Sequence, residues 1–592
     1  MRMFAAALLG LVPLVAAAAI PPYDETVEHK LQPQIETLLG QLVKEGRSLS
    51  IDGMPVFNGK DKFLPGKIAI SLVEFLTSLP PDDPRLPKYL EDFRKVARLT
   101  VDDANDSWGA YYYVVALDKL REAGLLERAV DRLTLAKLRV HLDWRMFVDP
   151  DNFDLIDHPN NYYVVAFGIA RMRMRLGWED GSGAARIYDK IVDHYHRYSG
   201  EYGFADETDG EGRFDRYSVL LSAEFAHHFL ESGDKPPAEV IGWVRKSADV
   251  MLARLHENGA GFEYGRSLGP YAETALIEVL TTAAALGILS DSEKMLAYSY
   301  VSRAAQRYFE FWVDKSTGSV NLWDDGRRTD GYRGKFRILG ENLSLAHQFA
   351  YTDEMWNKMG FKRHAPLADF AKALDARPKE SVTWFAKGAY DRLLLTRRDQ
   401  GRVIGLPVIS GGATQHMNSP YFPIPYSRGL LAGVADDTVP LMVPQFTLAD
   451  GSVLMPLAYF RDVKVARVSG KTTLSWRQTE MDRMGSVAPI PDERLSVETS
   501  YRFEAGKIIR TDVYTPKAPL DIAGIRMDFA SMGDAVTGFE AEGLEDCRSQ
   551  AIDKEPDYES DDGPMTQKTI CSSGRHIADH PFTIRWTLTY RP

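Results

Sequence analysis

The sequence predicts a two-part α+β protein, an N-terminal (α/α) toroid of helical hairpins followed by an antiparallel β-sandwich. Three observations carry this expectation. From about Thr26 to Ala376 apolar residues recur at helical spacing, in roughly a dozen segments joined by short Gly, Pro and Asp loops. Polar and aromatic residues gather in alternate loops, Trp108–Tyr113, His158–Tyr163, Phe204–Tyr217, Tyr264–Tyr271 and Trp323–Asn342, which fits a ring whose every second loop opens at one rim. After about Lys387 the chain turns to short runs bounded by Gly, Asp and Pro at strand-like intervals.

The elements follow in order. Met1–Ala19 has an early Arg, an apolar core and small residues at its end, the anatomy of a secretory signal peptide, so export is expected. The toroid is placed at 20–380, with helices over Ile68–Leu79, Trp108–Leu126, Val130–Trp144, Tyr162–Leu176, Ile187–Tyr198, Tyr217–Leu230, Val240–Leu255, Tyr271–Leu289 and Met295–Trp312. No self-similarity is strict enough for a named solenoid. The β-domain is placed at 387–592, with strands over Asp391–Arg397, Arg402–Ile409, Val453–Phe460, Val463–Val468, Thr472–Gln478, Leu495–Phe503, Ile508–Val513, Ile522–Phe529 and Thr583–Tyr590. Cys547 and Cys571 are the only cysteines, and in an oxidising compartment they read as one disulfide, closing a late loop whose acidic part, Asp557–Asp562, is expected at the surface. Asn105 and Asn342 head glycosylation sequons that matter only in a eukaryotic host.

Bulk composition narrows the function. The net charge of -12 argues against nucleic acid or an anionic membrane as general partners, since both need a basic surface. An anionic ligand therefore needs a local basic pocket. No Gly-x-Ser-x-Gly elbow, phosphate loop, dinucleotide fingerprint or His-Glu-x-x-His zinc motif is present, and neither a cofactor nor a metal is expected.

Four clusters carry the chemistry. Gly261–Leu280 is a glycine-broken loop that ends at Pro270, fit for the first position of a helix, and it presents Tyr264, Arg266, Ser267 and Tyr271 where free N–H groups and the helix dipole favour an anion. His158, Asn160, Asn161 and Tyr162 precede another helix, and one Asn could equally serve as its cap. Phe204–Tyr217 holds five acids, including Asp209 and Asp215, with Asp215 and Tyr217 opening the next helix. Its spacing lacks the alternation of a calcium-binding loop, although Asp206–Asp215 is where calcium would sit if the site used it. Glu341 follows the basic run Arg327, Arg328, Arg333, Lys335 and Arg337, and Trp323 adds an aromatic face. Together these supply acids, bases and stacking surfaces suited to a carbohydrate.

In order along the chain, Asn160-Asn161-Tyr162, Asp209-Gly210 through Asp215-Arg216-Tyr217, Tyr264-Gly265-Arg266-Ser267-Leu268 and Leu339-Gly340-Glu341-Asn342 resemble a family of two-domain proteins long known as a domain of unknown function. His416-Met417-Asn418-Ser419-Pro420-Tyr421 with Tyr426-Ser427-Arg428 is similar to a further pattern of that family. The resemblance implies a toroid plus β-sandwich and an exo-acting β-glucuronidase. Arg216-Tyr217 stands where the family carries two tyrosines, and Gly269-Pro270-Tyr271 replaces a Tyr-Arg pair. The architecture is also similar to that of toroid polysaccharide lyases.

The expected function is thus a secreted enzyme cleaving uronic-acid-containing glycans, with a poly- or oligosaccharide as its partner. Hydrolysis stands first, with Asp209 or Asp215 as one carboxylate and Glu341 as the other, and with His158, Asn160, Asn161, Tyr217, Tyr264, Arg266, Tyr271 and Trp323 around the sugar. Arg266 is the expected partner of the uronate carboxylate. β-Elimination is the alternative, with Asn161 and Arg266 neutralising the carboxylate and Tyr271 or Tyr264 as base. A non-catalytic glycan-binding protein is the third.

Overall fold

A computed structural model describes residues 19–327, 329, 332–410, 417–419, 421–431, 442–486, 488–553 and 558–591. All but the last residue of the expected leader lies outside these, as do Arg328, His416, Pro420 and Asp557. Twelve helices of ten residues or more follow one another among the described residues: α1 Gln32–Glu45, α2 Leu64–Thr77, α3 Leu86–Thr100, α4 Ser107–Glu122, α5 Arg132–His141, α6 Tyr162–Arg175, α7 Ser182–Tyr198, α8 Arg216–Glu231, α9 Ala238–Ala253, α10 Pro270–Ala285, α11 Asp291–Arg307 and α12 Ile338–Lys358. The even-numbered helices close a ring: α2 packs on α4, α4 on α6, α6 on α8, α8 on α10, α10 on α12, and α12 back on α2. Odd-numbered helices pack behind them, α3 on α2, α7 on α6, α9 on α8 and α10, and α11 on α10. An (α/α) toroid results, not an open solenoid.

Local chemistry sets the helix ends. Asp215 caps α8 by accepting the Tyr217 N–H at 2.8 Å, and it forms a capping box with Ser218. At α10, Gly269 takes a φ of 69° and Pro270 starts the helix, as its ring geometry favours. The helix ends at Ala285, short of the expected Leu289, because Gly287 turns the chain at φ 68°. Glycine also lets α2 and α4 touch, since a Cβ on Gly66 would lie 1.9 Å from the Gly109 carbonyl oxygen.

The C-terminal region is an antiparallel sandwich. A six-stranded sheet runs in the order Arg461–Val468, Lys471–Gln478, Leu495–Glu504, Lys507–Pro516, Phe582–Tyr590, Val536–Glu542. An eight-stranded sheet centred on Leu520–Ser531 faces it. Phe446 and Phe529 of the larger sheet meet Tyr514 and Phe539 of the smaller, each pair with ring centroids 4.7 Å apart. The expected strand Val453–Phe460 stops at Met455, and Tyr459 beyond it holds a φ of 67°, outside extended geometry.

Cys547 and Cys571 are bonded and stand opposite each other on neighbouring strands, Asp546–Ala551 and Gln567–Ser573. Their 24-residue separation sets the entropy that the bond removes from the unfolded chain. Replacing both by serine is expected to cost about 3 kcal/mol, read as a lower urea midpoint. The acidic tip of that loop is not a solvated surface. Asp561 pairs with Arg428 and with Arg307 of α11, so it ties sandwich to ring. Asn342 is also unsuited to a glycan: it is fully buried and donates to the Ser319 hydroxyl at 2.7 Å and the Ile338 carbonyl at 2.8 Å.

A three-stranded sheet, Glu380–Ala386, Arg392–Asp399 and Arg402–Val408, buttresses the ring's loops. Its Phe385 ring stacks on Phe214 at 5.0 Å, and the Arg392 guanidinium donates to the Glu211 carbonyl at 3.3 Å. Gly265–Arg266 pairs with Met417–Ser419 as a short antiparallel ladder. The acidic loop and the Arg266 loop are therefore held from the β side. No helix among the described residues is long and apolar enough to cross a membrane.

Candidate active site

All six inner helices begin at one rim, and a cavity of about 370 Å³ opens there. Its lining comes from the loops before the helices and from their first three turns. Six helix N-termini turn their positive dipole ends to this space. Lys67, Arg216, Arg266, Arg333 and Arg337 line it as well, and Arg216 alone of these makes no ion pair with a carboxylate among the described residues. At the opposite rim a larger cavity of about 730 Å³ is walled by Glu74, Asp118, Glu122, Glu231 and Glu354 and by helix C-terminal ends. Lys119, His347 and Lys358 also line it, but acids outnumber them, and the residues expected from the sequence gather at the smaller cavity, which is therefore the candidate site.

Of the residues expected from sequence, Asn161, Tyr217, Arg266 and Tyr271 meet in this cavity. Asn161 stands at the N-cap position of α6, yet its side chain makes no cap bond. Its Oδ1 is buried without a hydrogen-bond partner. Tyr217 Oη lies 3.2 Å from Ser267 Oγ, and its ring lies between the Arg216 and Arg266 guanidinium groups, 4.0 and 4.5 Å from the centroid. Burial pushes its phenol up to about 12, against the pull of Arg216. Tyr271 donates to Glu341 and lies under the Arg333 guanidinium, 3.8 Å from its ring centroid. Burial, then Glu341, hold its phenol well above the ordinary range.

The remaining expected residues sit elsewhere. Glu341 lies behind the cavity wall, fully buried, with Lys67 Nζ at 3.5 Å and Arg337 Nε at 3.2 Å. Burial alone would raise its carboxyl, but Lys67, Arg337 and Arg333 outweigh that and hold it at about 2. Asp215 is engaged as a helix cap, and it also accepts from Tyr421 at 2.8 Å and Arg266 Nε at 3.1 Å. Arg266 completes its pairing with Glu207, so two carboxylates already neutralise it. Asp209 is exposed and accepts from Asn160 at 3.1 Å. His158 packs on Tyr162, Trp323 donates to the Arg333 carbonyl at 2.6 Å, and Tyr264 is fully buried with its hydroxyl 3.3 Å from the Phe214 carbonyl. Asp206 accepts backbone N–H groups from Thr208, Gly212 and Arg213, so this loop's acids serve the fold. Among the described residues no cluster of three or more His, Cys, Asp or Glu is arranged to hold a metal.

Two further carboxyl groups, absent from the sequence expectation, face the same cavity. Glu224 on α8 and Glu278 on α10 line the cavity two turns below the rim. Glu224 Oε2 is buried and has no hydrogen-bond partner. Burial, then Glu278 beside it, push its carboxyl up to about 8, while Arg216 and His227 oppose them. Glu278 accepts from Gln348 at 2.7 Å and Thr282 at 3.0 Å and pairs with His227 Nδ1 at 2.8 Å. Burial would raise Glu278, but His227 and these hydrogen bonds hold it below the ordinary range. His227 Nε2 lies 3.3 Å from Glu231, and although burial opposes its charge, Glu278 and Glu231 lift it to about 10. The surroundings of these two carboxyls on the cavity floor thus drive them apart, Glu224 up and Glu278 down.

No protein-family model matches the sequence, and no curated protein matches it. The family resemblance of its motifs consequently has no support from sequence comparison. Among solved structures, chondroitin AC lyase of Streptomyces coelicolor A3, determined with chondroitin sulphate, aligns over 97% of this chain and 80% of its own, at 12% identity and a TM-score of 0.50. A possible GH105-family member from Salmonella enterica serovar Paratyphi A covers 60% of this chain and 100% of its own, at 11% identity and a TM-score of 0.37, too loose a likeness to argue from. At these identities similarity speaks for fold alone, and this chain shares the toroid-plus-sandwich architecture of chondroitin AC lyase.

Proposed function

We propose that this protein is a secreted enzyme that hydrolyses glycosidic bonds in a uronic-acid-containing glycan, with the ring at 20–380 as its catalytic part and 387–592 as its buttress. The observation that carries the reading is the pair Glu224 and Glu278, two carboxyl groups whose surroundings drive their protonation apart. Glu224 gives its proton to the departing glycosidic oxygen. Glu278 faces the anomeric carbon in its basic form, and as the water oxygen bonds to that carbon Glu278 takes the proton the water loses, so one proton leaves Glu224 and one arrives at Glu278. The converging helix N-termini and the Arg216 guanidinium, which makes no ion pair, supply the preference for an anionic sugar.

A second reading, β-elimination, has its own support. Asn161 has an unpaired buried Oδ1 beside two phenols, and the fold is that of a chondroitin lyase. In that scheme Tyr271 or Tyr217 takes the C5 proton. Both phenols hold their protons firmly at neutral pH, which suits protonation of a leaving oxygen better than proton removal. Hydrolysis therefore stands first. The test is incubation with uronate polysaccharides and aryl β-glucuronides, following reducing ends together with ultraviolet absorbance. Reducing ends without new absorbance are expected. A rise in both would mean an unsaturated uronate is forming and would put elimination in first place.

A further inference from the structure

Arg216 opens α8 and lines the cavity, yet it is 3% exposed. Among the described residues its guanidinium has neither a carboxylate partner nor a hydrogen bond, and its Nε is buried and unsatisfied. The Tyr217 ring lies 4.0 Å from it, and the Asp215 and Glu224 carboxyls feel its charge only from beyond ion-pair distance. The contrast with its neighbours is sharp: Arg266 is held by Glu207 and Asp215, and Arg333, Arg337 and Lys67 all converge on Glu341. A buried guanidinium without an anion is costly to the folded chain, and such a cost persists where a ligand supplies the missing partner. Asn161, also 3% exposed, lines the same cavity, and its buried, unpaired Oδ1 offers an acceptor for a sugar hydroxyl.

We propose that Arg216 is the residue that selects an anionic sugar, receiving the carboxylate or sulfate of the ring bound above Glu224, while Arg266 holds the loop in place. This deepens the hydrolytic reading and rests on it for the identity of the sugar. Acid and anion anchor then stand on one helix, eight residues apart and so on neighbouring faces two turns from each other.

The test compares thermal melting of the wild type, Arg216→Gln and Arg216→Lys, alone and with millimolar glucuronate, glucose 6-sulfate or glucose. Alone, Arg216→Gln is expected to melt at or above the wild-type temperature, because it removes a buried charge that makes neither an ion pair nor a hydrogen bond among the described residues. Glucuronate or glucose 6-sulfate, whichever matches the natural anion, is expected to raise the wild-type midpoint, while glucose leaves it unchanged. The shift should vanish in Arg216→Gln and survive in part in Arg216→Lys. With an aryl uronoside, KM of Arg216→Gln should rise roughly a hundredfold, the scale expected when a buried charge pair loses one member. A glutamine variant that melts well below the wild type would make Arg216 structural and overturn the proposal. Equal protection of wild type and Arg216→Gln by the same anion, or no protection of the wild type by either anion, would overturn it too. Absence of turnover would remove the hydrolytic reading alone, because the melting arms require only binding.

Discussion

Replacement of Glu224 by glutamine is expected to lower kcat about a thousandfold with little change in KM, the size of effect that loss of a positioned proton donor produces. Glutamine keeps the shape and a polar tip but has no proton to give. The pH profile carries the same signature. A general acid must be protonated, and burial together with Glu278 places the Glu224 carboxyl at about 8. The wild-type rate should therefore hold through neutrality and fall tenfold per pH unit beyond about 8. The acid side of the profile belongs to Glu278, whose carboxyl lies below the ordinary glutamate range, so it should stay active into mildly acidic buffer. Glu224→Gln should lose the alkaline limb. An aryl substrate whose leaving group departs without a proton should be affected far less than a sugar-linked one. A variant that kept wild-type rates on sugar linkages would remove Glu224 from the mechanism.

The ring and the sandwich were legible in the sequence because both are repeated patterns, and a pattern survives errors at single positions. Helix starts were legible where caps are local: Pro270 begins α10, and Asp215-Arg216 marks the start of α8. The rim of the site could be read for the same reason, since Asn161, Tyr217, Arg266 and Tyr271 lie in or next to loops that break the apolar periodicity. The floor could not. Glu224 and Glu278 are single acids inside helices, in the runs Ser222-Ala223-Glu224-Phe225 and Leu276-Ile277-Glu278-Val279, and periodicity alone cannot tell a wall facing solvent from one facing a ring's lumen. A usable signal existed, because the segments around both are otherwise nearly all apolar, which leaves no solvated face for a carboxylate. The acids that did attract attention, Asp215 and Glu341, stand at helix beginnings and were drawn into capping and ion pairing, as acids at that position commonly are.

Replacement of His227 by glutamine is expected to destabilise the protein by about 3–5 kcal/mol, measured by urea unfolding at pH 7. His227 is buried between Glu278 and Glu231, and its removal leaves two buried carboxylates without their shared counter-charge. The sign of the pH dependence follows from the direction of each shift. Burial opposes the imidazolium, but the flanking carboxylates raise it to about 10, from an unfolded value of about 6.5. Its contribution is thus complete below about 6.5 and is lost as pH rises through 10. Glu278 and Glu231 are lowered despite burial, so their contributions are present above the unfolded glutamate value and are lost in acid. Wild-type stability should therefore peak between these ranges, and His227→Gln should show a much flatter alkaline decline. Activity is tied to the same triad. Without the imidazolium Glu278 gains proton affinity and Glu224 rises further, since His227 pulls both downward. The acid limb of the rate should then move to higher pH even in molecules that remain folded. A loss below about 1 kcal/mol with an unmoved acid limb would mean that the triad carries no charge at pH 7, and the protonation difference between Glu224 and Glu278 would need another source.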